Sequence, residues 1–324
     1  MKKLLPVLLF SLFYFISFIP STMAGKWRVN NTGISAHFTS AQQAVNSSSV
    51  LSGDTLYFEG SMTSYGNLNL TKRLVIIGPG YFLGQNPQTQ ADLSYATIES
   101  LTFSLGSKGS VMTGMTLLSG TTIQDTAITL TRNNLGSVGV YNPSINNMIT
   151  GNYIGNLYFS GSQGNTISNN LIIKDAQCWQ GICFNLGGNS SATVTNNIFR
   201  GCQTIENCLY ENNIATGTAP GGNDTFTATN STVYNNIGAS AQYGTENGNQ
   251  QNVDMALVFI NTGSDDGRYQ LAAGSPALGA GVDGIDCGIF GGPDPYVLSG
   301  IPNLPSIWYI AIDGNAVTVK ARSH

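Results

Sequence analysis

Short hydrophobic runs alternate with polar turns along most of the chain. Examples lie at residues 74–77, 96–98, 101–103 and 111–117, and Gly, Asn and Ser clusters separate them. Runs of this length that are rich in β-branched residues and bounded by turn residues predict short β-strands. The clearest helical signal is at residues 39–45, where a Ser or Thr N-cap precedes helix-forming residues. The pattern predicts an all-β protein with one short helix near its N-terminus.

An Asn pair followed by a hydrophobic residue recurs in the middle of the chain. The second Asn of the successive pairs is Asn147, Asn170, Asn197, Asn213 and Asn236, so the intervals are uneven. Uneven intervals around one coil of about 20–25 residues predict a solenoid whose loops vary in length. Asn adopts the left-handed conformation of turns, and stacked Asn amides can hydrogen-bond along a ladder. We therefore assign these residues to structural turns or a ladder, with β-sandwich turns as the alternative.

These repeats resemble the right-handed parallel β-helix (pectate-lyase-like) superfamily. Gly274–Gly281 and Asp283–Gly288 are similar to the Ser-Pro-Ala … Asp-Gly closing segment of secreted bacterial β-helix proteins. The resemblance covers about residues 50–295. It implies an all-β fold, a right-handed single-stranded parallel β-helix with a short N-terminal helical cap and an irregular C-terminal closing segment. That fold hosts lyases, hydrolases, adhesins and inert stalks, so it implies no single activity.

Four segments are expected along the chain. They are a signal peptide (1–24), an N-terminal cap (25–59), the parallel β-helix with its closing segment (60–295) and a proline-containing tail or hairpin (296–324). Roughly eight coils of the observed period fit between positions 60 and 250. Both ends of a solenoid need covering, because an open end exposes a sheet edge and the core.

The segment before Gly25 has the three parts of a secretory signal peptide. Lys2 and Lys3 form a positive start, residues 4–19 are almost wholly apolar, and small residues precede the expected cleavage point between Ala24 and Gly25. The apolar run is shorter than the roughly 20 residues that a membrane-spanning helix needs. We expect an exported protein, secreted or at the cell surface, with the periplasm as the alternative and no membrane association after cleavage.

Charged side chains are scarce. Only 9% of the residues are charged, against roughly 25% in an ordinary globular domain. Loss of two lysines with the leader would change the formal net charge from −4 to −6. This acidic balance argues against nucleic acid or an anionic membrane as a partner, because both need a basic surface. With 41% hydrophobic residues the chain can still bury a core.

Catalytic chemistry has little support in the sequence. For an enzyme, the resemblance implies acidic calcium ligands with an Arg or Lys base, and Lys174, Asp175, Arg200 and Glu206 come closest to that set. Their alternative role is a cross-coil salt bridge on a solvated face. We predict no catalytic site; the alternative is a polysaccharide lyase or hydrolase acting on an acidic or plant- or algal-type polysaccharide. No cofactor is expected, and Ser264–Gly267 lacks the alternating acidic positions of a calcium loop.

Three aromatic residues in the repeat region are candidates for stacking on sugar rings: Tyr158, Trp179 and Tyr210. The alternation Leu157-Tyr158-Phe159 puts Tyr158 on the face opposite its neighbours. Core packing is the alternative for all three. The predicted function is a structural, adhesive or glycan-binding role, with polysaccharide or cell-surface components as partners. The oligomeric state stays open.

Four of the five cysteines are close together along the chain: Cys178, Cys183, Cys202 and Cys208. In an exported chain they can oxidise, so Cys178–Cys183 or Cys202–Cys208 could form a local disulfide. Buried free thiols are the alternative. An odd number of cysteines leaves at least one thiol unpaired within the monomer.

Overall fold

The structure is a computed structural model that describes residues 24–173, 182–217 and 225–323, without the side chains of residues 182 and 183. Within these ranges the fold is all-β, with two short α-helices, α1 (Ala41–Asn46) and α2 (Met255–Val258). Three 3-10 helices lie at Gly267–Tyr269, Val282–Gly284 and Leu298–Gly300. None of the described helices is long and apolar enough to cross a membrane.

A ten-stranded parallel sheet runs along one side of the solenoid. Its strands, in spatial order, are β1 (Lys26–Val29), β2 (Thr55–Phe58), β4 (Val75–Ile77), β7 (Val111–Thr113), β10 (Thr129–Thr131), β12 (Met148–Thr150), β14 (Asn165–Ser168), β17 (Ala192–Thr195), β20 (Cys208–Glu211) and β23 (Thr232–Tyr234). Their order in space is their order along the chain, and those from β4 to β23 lie between positions 60 and 250. These eight strands agree in number with the coils expected from the repeat.

A second sheet of fourteen strands completes the coils. They are β3 (Leu68–Leu70), β5 (Thr97–Ile98), β6 (Leu101–Phe103), β8 (Thr116–Leu117), β9 (Gly120–Ile123), β11 (Asn134–Tyr141), β13 (Tyr153–Ser160), β15 (Leu171–Ile172), β16 (Ile182–Gly187), β18 (Ile198–Phe199), β19 (Cys202–Glu206), β21 (Ile214–Ala215), β22 (Phe226–Thr229) and β24 (Ile237–Gly238). An antiparallel hairpin follows, formed by β25 (Ser306–Asp313) and β26 (Ala316–Arg322). The prediction of an all-β parallel solenoid is confirmed.

The alternation of side chains along each short strand builds one continuous core. In β10, Leu130 is buried between the part-exposed Thr129 and Thr131. Leu130 pairs in register with Met112 on one side and Ile149 on the other. Because successive residues of a strand point to opposite faces, each coil contributes one apolar layer inside and a polar row outside.

The helix near the N-terminus packs on the same core. The sequence predicts a helix over residues 39–45, and α1 begins at Ala41 because the side chain of Ser40 accepts a hydrogen bond from the backbone N–H of Gln43. Ala44 and Val45 are fully buried in the main core.

A ladder of seven buried asparagines runs inside the solenoid. Its members are Asn133, Asn152, Asn170, Asn197, Asn213, Asn236 and Asn249. From Asn152 onward, each Oδ1 accepts from the backbone N–H and the Nδ2 of the asparagine one coil earlier, at 2.8–3.1 Å. The Nδ2 atom of Asn197 also donates to the backbone carbonyls of Ile167 and Thr195. The buried amides are thus satisfied, which is what allows polar groups at this depth.

Asn147 belongs to a second, shorter ladder on another turn. Its Nδ2 atom donates to Oδ1 of Asn165 at 3.0 Å and to Oγ of Ser144 at 2.7 Å. In the same coil, Asn152 holds the position on the long ladder. The residue before Asn152 is Gly151, which has the left-handed backbone that the first Asn has in the other pairs.

In four of the five Asn pairs, the first Asn faces outward and holds the closing segment, which we define as residues 253–305. Asn169, Asn196, Asn212 and Asn235 all have left-handed backbones, with φ between +53° and +58°. Their side chains bond to the backbone of residues 280–291: Asn235 to Ala280 O, Asn212 to Val282 N, Asn196 to Asp286 O, and Asn169 to Ile289 O and Gly291 O. The closing segment therefore runs back along the solenoid, from later coils to earlier ones.

Apolar contacts complete this attachment. The outward side chains of Leu171, Ile198, Ile214 and Ile237 pack with residues of the closing segment in a second buried cluster. The closing segment thus covers an outer surface of the second sheet that would otherwise expose a row of aliphatic side chains.

Replacing a central asparagine of the long ladder should destabilise the whole stack. In Asn197→Ala, the buried N–H and Nδ2 of Asn170 lose their acceptor, and Oδ1 of Asn213 loses the Nδ2 donor. We expect the free energy of unfolding to fall by about 3 kcal/mol or more, measured by urea denaturation. Thr193→Ala, on an exposed strand position, is the control. Equal free energies of unfolding for the two variants would contradict a stabilising role of the ladder.

Candidate functional site

The structure does not bring the candidate catalytic residues together, as far as it describes them. Lys174 and Asp175 lie outside the described residues. Arg200, at the corner before β19, hydrogen-bonds to the phenol of Tyr269 in the closing segment. Glu206, at the far end of β19, accepts from the backbone N–H of Asn189 at 3.1 Å. Because a strand of this length spans about 16 Å, Arg200 and Glu206 face different neighbours.

The stacking candidates have different environments. Trp179 lies outside the described residues. Tyr210 is 0% exposed, stacks on Phe199 and shares hydrogen bonds with Gln203 and Tyr243 inside the solenoid. A sugar cannot reach it, so its assignment as a stacking residue is wrong. The reason is the alternation in β20, which points Cys208 and Tyr210 inward together.

The cysteine assignments are only partly within the described structure. Cys178 and the side chain of Cys183 lie outside it. The disulfide Cys202–Cys208 is wrong, because the Cys208 thiol is free. The two residues belong to strands of different sheets, β19 and β20. Burial raises the pKa of both Cys208 and Cys287 to about 12.

Tyr158 lies on the outside of the solenoid at the centre of an open sheet surface. Its side chain is 37% exposed. The rings of Tyr158 and Tyr141 meet edge to face with centroids 5.6 Å apart, and their hydroxyls hydrogen-bond to each other. A Cβ atom on Gly139 would lie 2.7 Å from Cζ and Oη of Tyr158. The ring therefore rests over the backbone of Gly139, and a side chain at residue 139 would displace it or the neighbouring ring of Tyr141.

Polar side chains surround this tyrosine pair. We call the outward surface of β11, β13, β16 and β19 the tyrosine face. Tyr158 pairs in register with Asn185, which in turn pairs with Thr204. In the neighbouring row, Oγ of Ser137 donates to Oδ1 of Asn156 at 2.6 Å. Hydroxyl and amide groups thus flank the aromatic ring on several sides, each able to donate or accept.

The tyrosine face is almost neutral. Of its described outward side chains, Glu206 is the charged one. Burial raises the pKa of Tyr141 to about 12, and the hydrogen bond with Tyr158 acts in the same direction. The phenol of Tyr141 thus remains protonated at physiological pH. The described residues contain no group of three or more His, Cys, Asp or Glu side chains that could hold a metal ion.

Asp266, in the Ser264–Gly267 segment that lacks the pattern of a calcium loop, makes structural hydrogen bonds. Its carboxylate accepts from Asn86 Nδ2, Ser264 Oγ and the backbone N–H of Ser299 at 2.7–3.0 Å, and it is fully buried. These bonds join the loop after β4 to the closing segment. They use the carboxylate oxygens that a metal ion would need.

Comparison with known proteins identifies no relative. No protein-family model, curated protein or solved structure matches this chain. The chemistry of the site therefore has to be argued from its own residues.

The free thiols should be protected in the folded protein. With a pKa of about 12, Cys208 and Cys287 carry about 0.01% thiolate at pH 8. We expect iodoacetamide to label them only after unfolding in guanidinium chloride, as measured by peptide mass spectrometry. An exposed cysteine, introduced as Thr193→Cys, should react in the folded state. Labelling of native Cys208 at the rate of that control would contradict the buried placement.

Proposed function

We propose that this protein is a secreted β-helix scaffold that binds a neutral glycan on its tyrosine face. The observation that carries the proposal is the exposed ring of Tyr158, held over Gly139 and surrounded by uncharged hydroxyl and amide groups. Aromatic rings stack on the apolar faces of sugars, and flanking polar groups can bond to sugar hydroxyls. Tyr158 would be the stacking residue, with Asn156, Asn185 and Thr204 as hydrogen-bonding residues.

The charge of the tyrosine face favours a neutral ligand. An acidic polysaccharide would need basic side chains to compensate its carboxylates. Glu206 instead adds a negative charge at the edge of this surface. A pectate-type polymer is therefore a weaker candidate than a neutral polysaccharide, although the solenoid architecture resembles that of the pectate-lyase-like superfamily.

Export belongs to the same proposal. The leader-like segment at residues 1–24 supports delivery to the cell surface or beyond, where polysaccharides are accessible. The low content of ionisable residues supports binding or a structural role over catalysis.

Removal of the Tyr158 ring should abolish glycan binding without unfolding the protein. We expect Tyr158→Ala to weaken binding of the best neutral ligand on a glycan array at least tenfold, because the stacking surface is lost. Gly139→Ala should have a similar effect by displacing the ring from its support. Tyr95→Ala is the matched control, since Tyr95 is also exposed but lies outside the tyrosine face. Unchanged binding by Tyr158→Ala, or loss of binding by Tyr95→Ala, would contradict the site.

Binding should also be insensitive to pH around neutrality. The pKa of Tyr141 is raised to about 12, so its phenol keeps the hydrogen bond with Tyr158 well above pH 10, the ordinary pKa of tyrosine. We expect equal affinity at about pH 6 and about pH 9, measured by isothermal titration calorimetry. A loss of affinity across that range would show that a titrating group outside this pair controls binding.

A further inference from the structure

We propose that the α-amino group of a chain beginning at Gly25 forms a partly buried ion pair with Asp54, so that leader removal stabilises the N-terminal coil. This inference rests on the proposed export and cleavage after Ala24. It is independent of whether the tyrosine face binds a glycan.

Asp54 is placed to receive a positive charge from residue 25. Its carboxylate is nearly buried, with 4% of the residue exposed. Oδ1 accepts from the backbone N of Gly25 at 2.6 Å, and Oδ2 accepts from the Trp27 indole at 2.7 Å and from the Leu51 N–H at 2.9 Å. The nitrogen that would become the chain terminus is thus already in direct contact with a carboxylate oxygen.

Gly25 is also fixed on its carbonyl side. Its oxygen accepts from the backbone N–H of Thr55 at 2.9 Å, immediately before β1 pairs with β2. A Cβ atom on residue 25 would lie 2.8 Å from Oδ2 of Asp54 and 2.9 Å from Nε1 of Trp27. A glycine at this position therefore lets the nitrogen approach the carboxylate closely. Ala24, by contrast, is exposed.

The cleavage pattern and the hydrogen bond to Asp54 both point to Gly25. The small-residue pattern of the leader predicts cleavage between Ala24 and Gly25. Among the residues from Ala24 onward that the structure describes, Gly25 is the first one bonded to Asp54. Cleavage would convert a neutral amide N–H into an ammonium group without moving it, and would place a full charge opposite the carboxylate.

Hydrogen bonds and a nearby charge, but no ion pair with a described residue, stabilise the Asp54 carboxylate. Burial alone raises the pKa of Asp54, but hydrogen bonds from Trp27, Leu51 and Gly25 and the charge of Lys72 lower it on balance. Lys72 itself donates to the carbonyls of Ser47 and Val50. No Lys or Arg of the described ranges lies within ion-pair distance of Asp54. A nearly buried carboxylate without an ion-pair partner is strongly stabilised when a cation comes into contact with it.

The test compares three forms of the protein that differ only at the N-terminus. One begins at Gly25 with a free amine, the second carries an N-acetyl group on Gly25, and the third retains an acetylated Ala24. All three keep an N–H at Gly25, but only the first has an ammonium group there. We expect its thermal midpoint at about pH 6 to exceed the other two by about 2–4 °C. In the Asp54→Asn background the three midpoints should coincide.

The pH dependence gives a second readout. The pair needs an ionised Asp54, whose pKa is lowered, so its contribution should disappear as pH falls through that pKa. It also needs the ammonium form, whose pKa is ordinarily about 7.7–8.0 and rises on pairing. The advantage of the free amine should therefore vanish again in alkaline solution, above that raised pKa.

Equal midpoints of the three wild-type forms at about pH 6 would overturn the ion pair. An advantage of the free amine that survives in Asp54→Asn would overturn the role of Asp54. The intact mass of the exported protein tests the premise separately, because an N-terminus other than Gly25 would overturn the inference at its first step. None of these results bears on glycan binding, which Tyr158→Ala addresses.

Discussion

The hydrogen bonds between Asn170, Asn197 and Asn213 hold successive coils together at one corner of the solenoid. Each amide sits between the amides of two neighbouring coils, so none can change place without leaving a buried donor or acceptor unpaired. This requirement fixes where each coil turns, while the loops elsewhere in the coil can differ in length. It explains how a long step from Asn170 to Asn197 and a short one from Asn197 to Asn213 follow each other within one regular stack.

The two residues of an Asn pair have opposite tasks. In the pairs that end at Asn170, Asn197, Asn213 and Asn236, the second Asn faces inward and joins the long ladder, whereas the first adopts a left-handed conformation and faces outward. Asn196, for example, bonds to the carbonyls of Asp286 and Gly288. One short motif therefore holds the stack from inside and attaches the closing segment from outside. Arg132, the left-handed residue that precedes the ladder residue Asn133 in the sequence, also attaches the closing segment. Its side chain donates to the carbonyl of Ile301.

The closing segment also divides the surface into covered and open parts. It buries the aliphatic row of Leu171, Ile198, Ile214 and Ile237, and leaves the tyrosine face free. The open part carries Tyr158 with amides and hydroxyls, which is the chemistry expected of a surface for neutral sugars. Rigid coils beneath this surface would keep its groups at fixed spacings, so little order would have to be gained on binding.

The all-β class, the stacked coils and the structural role of Asn170, Asn197, Asn213 and Asn236 could all be predicted from local sequence patterns. Strand periodicity and a repeated turn residue are local signals, and both survive in the fold. Asn152 and Asn249 follow Gly151 and Gly248, so the Asn-pair pattern does not include them. Asn133 begins a pair with Asn134, but there the first Asn joins the ladder and Arg132 supplies the left-handed residue before it.

The inward position of Tyr210, and the groups that lie opposite each tyrosine, follow from the tertiary structure. Tyr158 and Tyr210 look alike in the sequence, but β13 turns the first outward and β20 turns the second inward. The support of Tyr158 by Gly139 and the contact of Gly25 with Asp54 each join residues from two different coils. Such pairs depend on which coils become neighbours. The spacing of the Asn residues aligns the coils at one corner but does not give the register of the strands on their other sides.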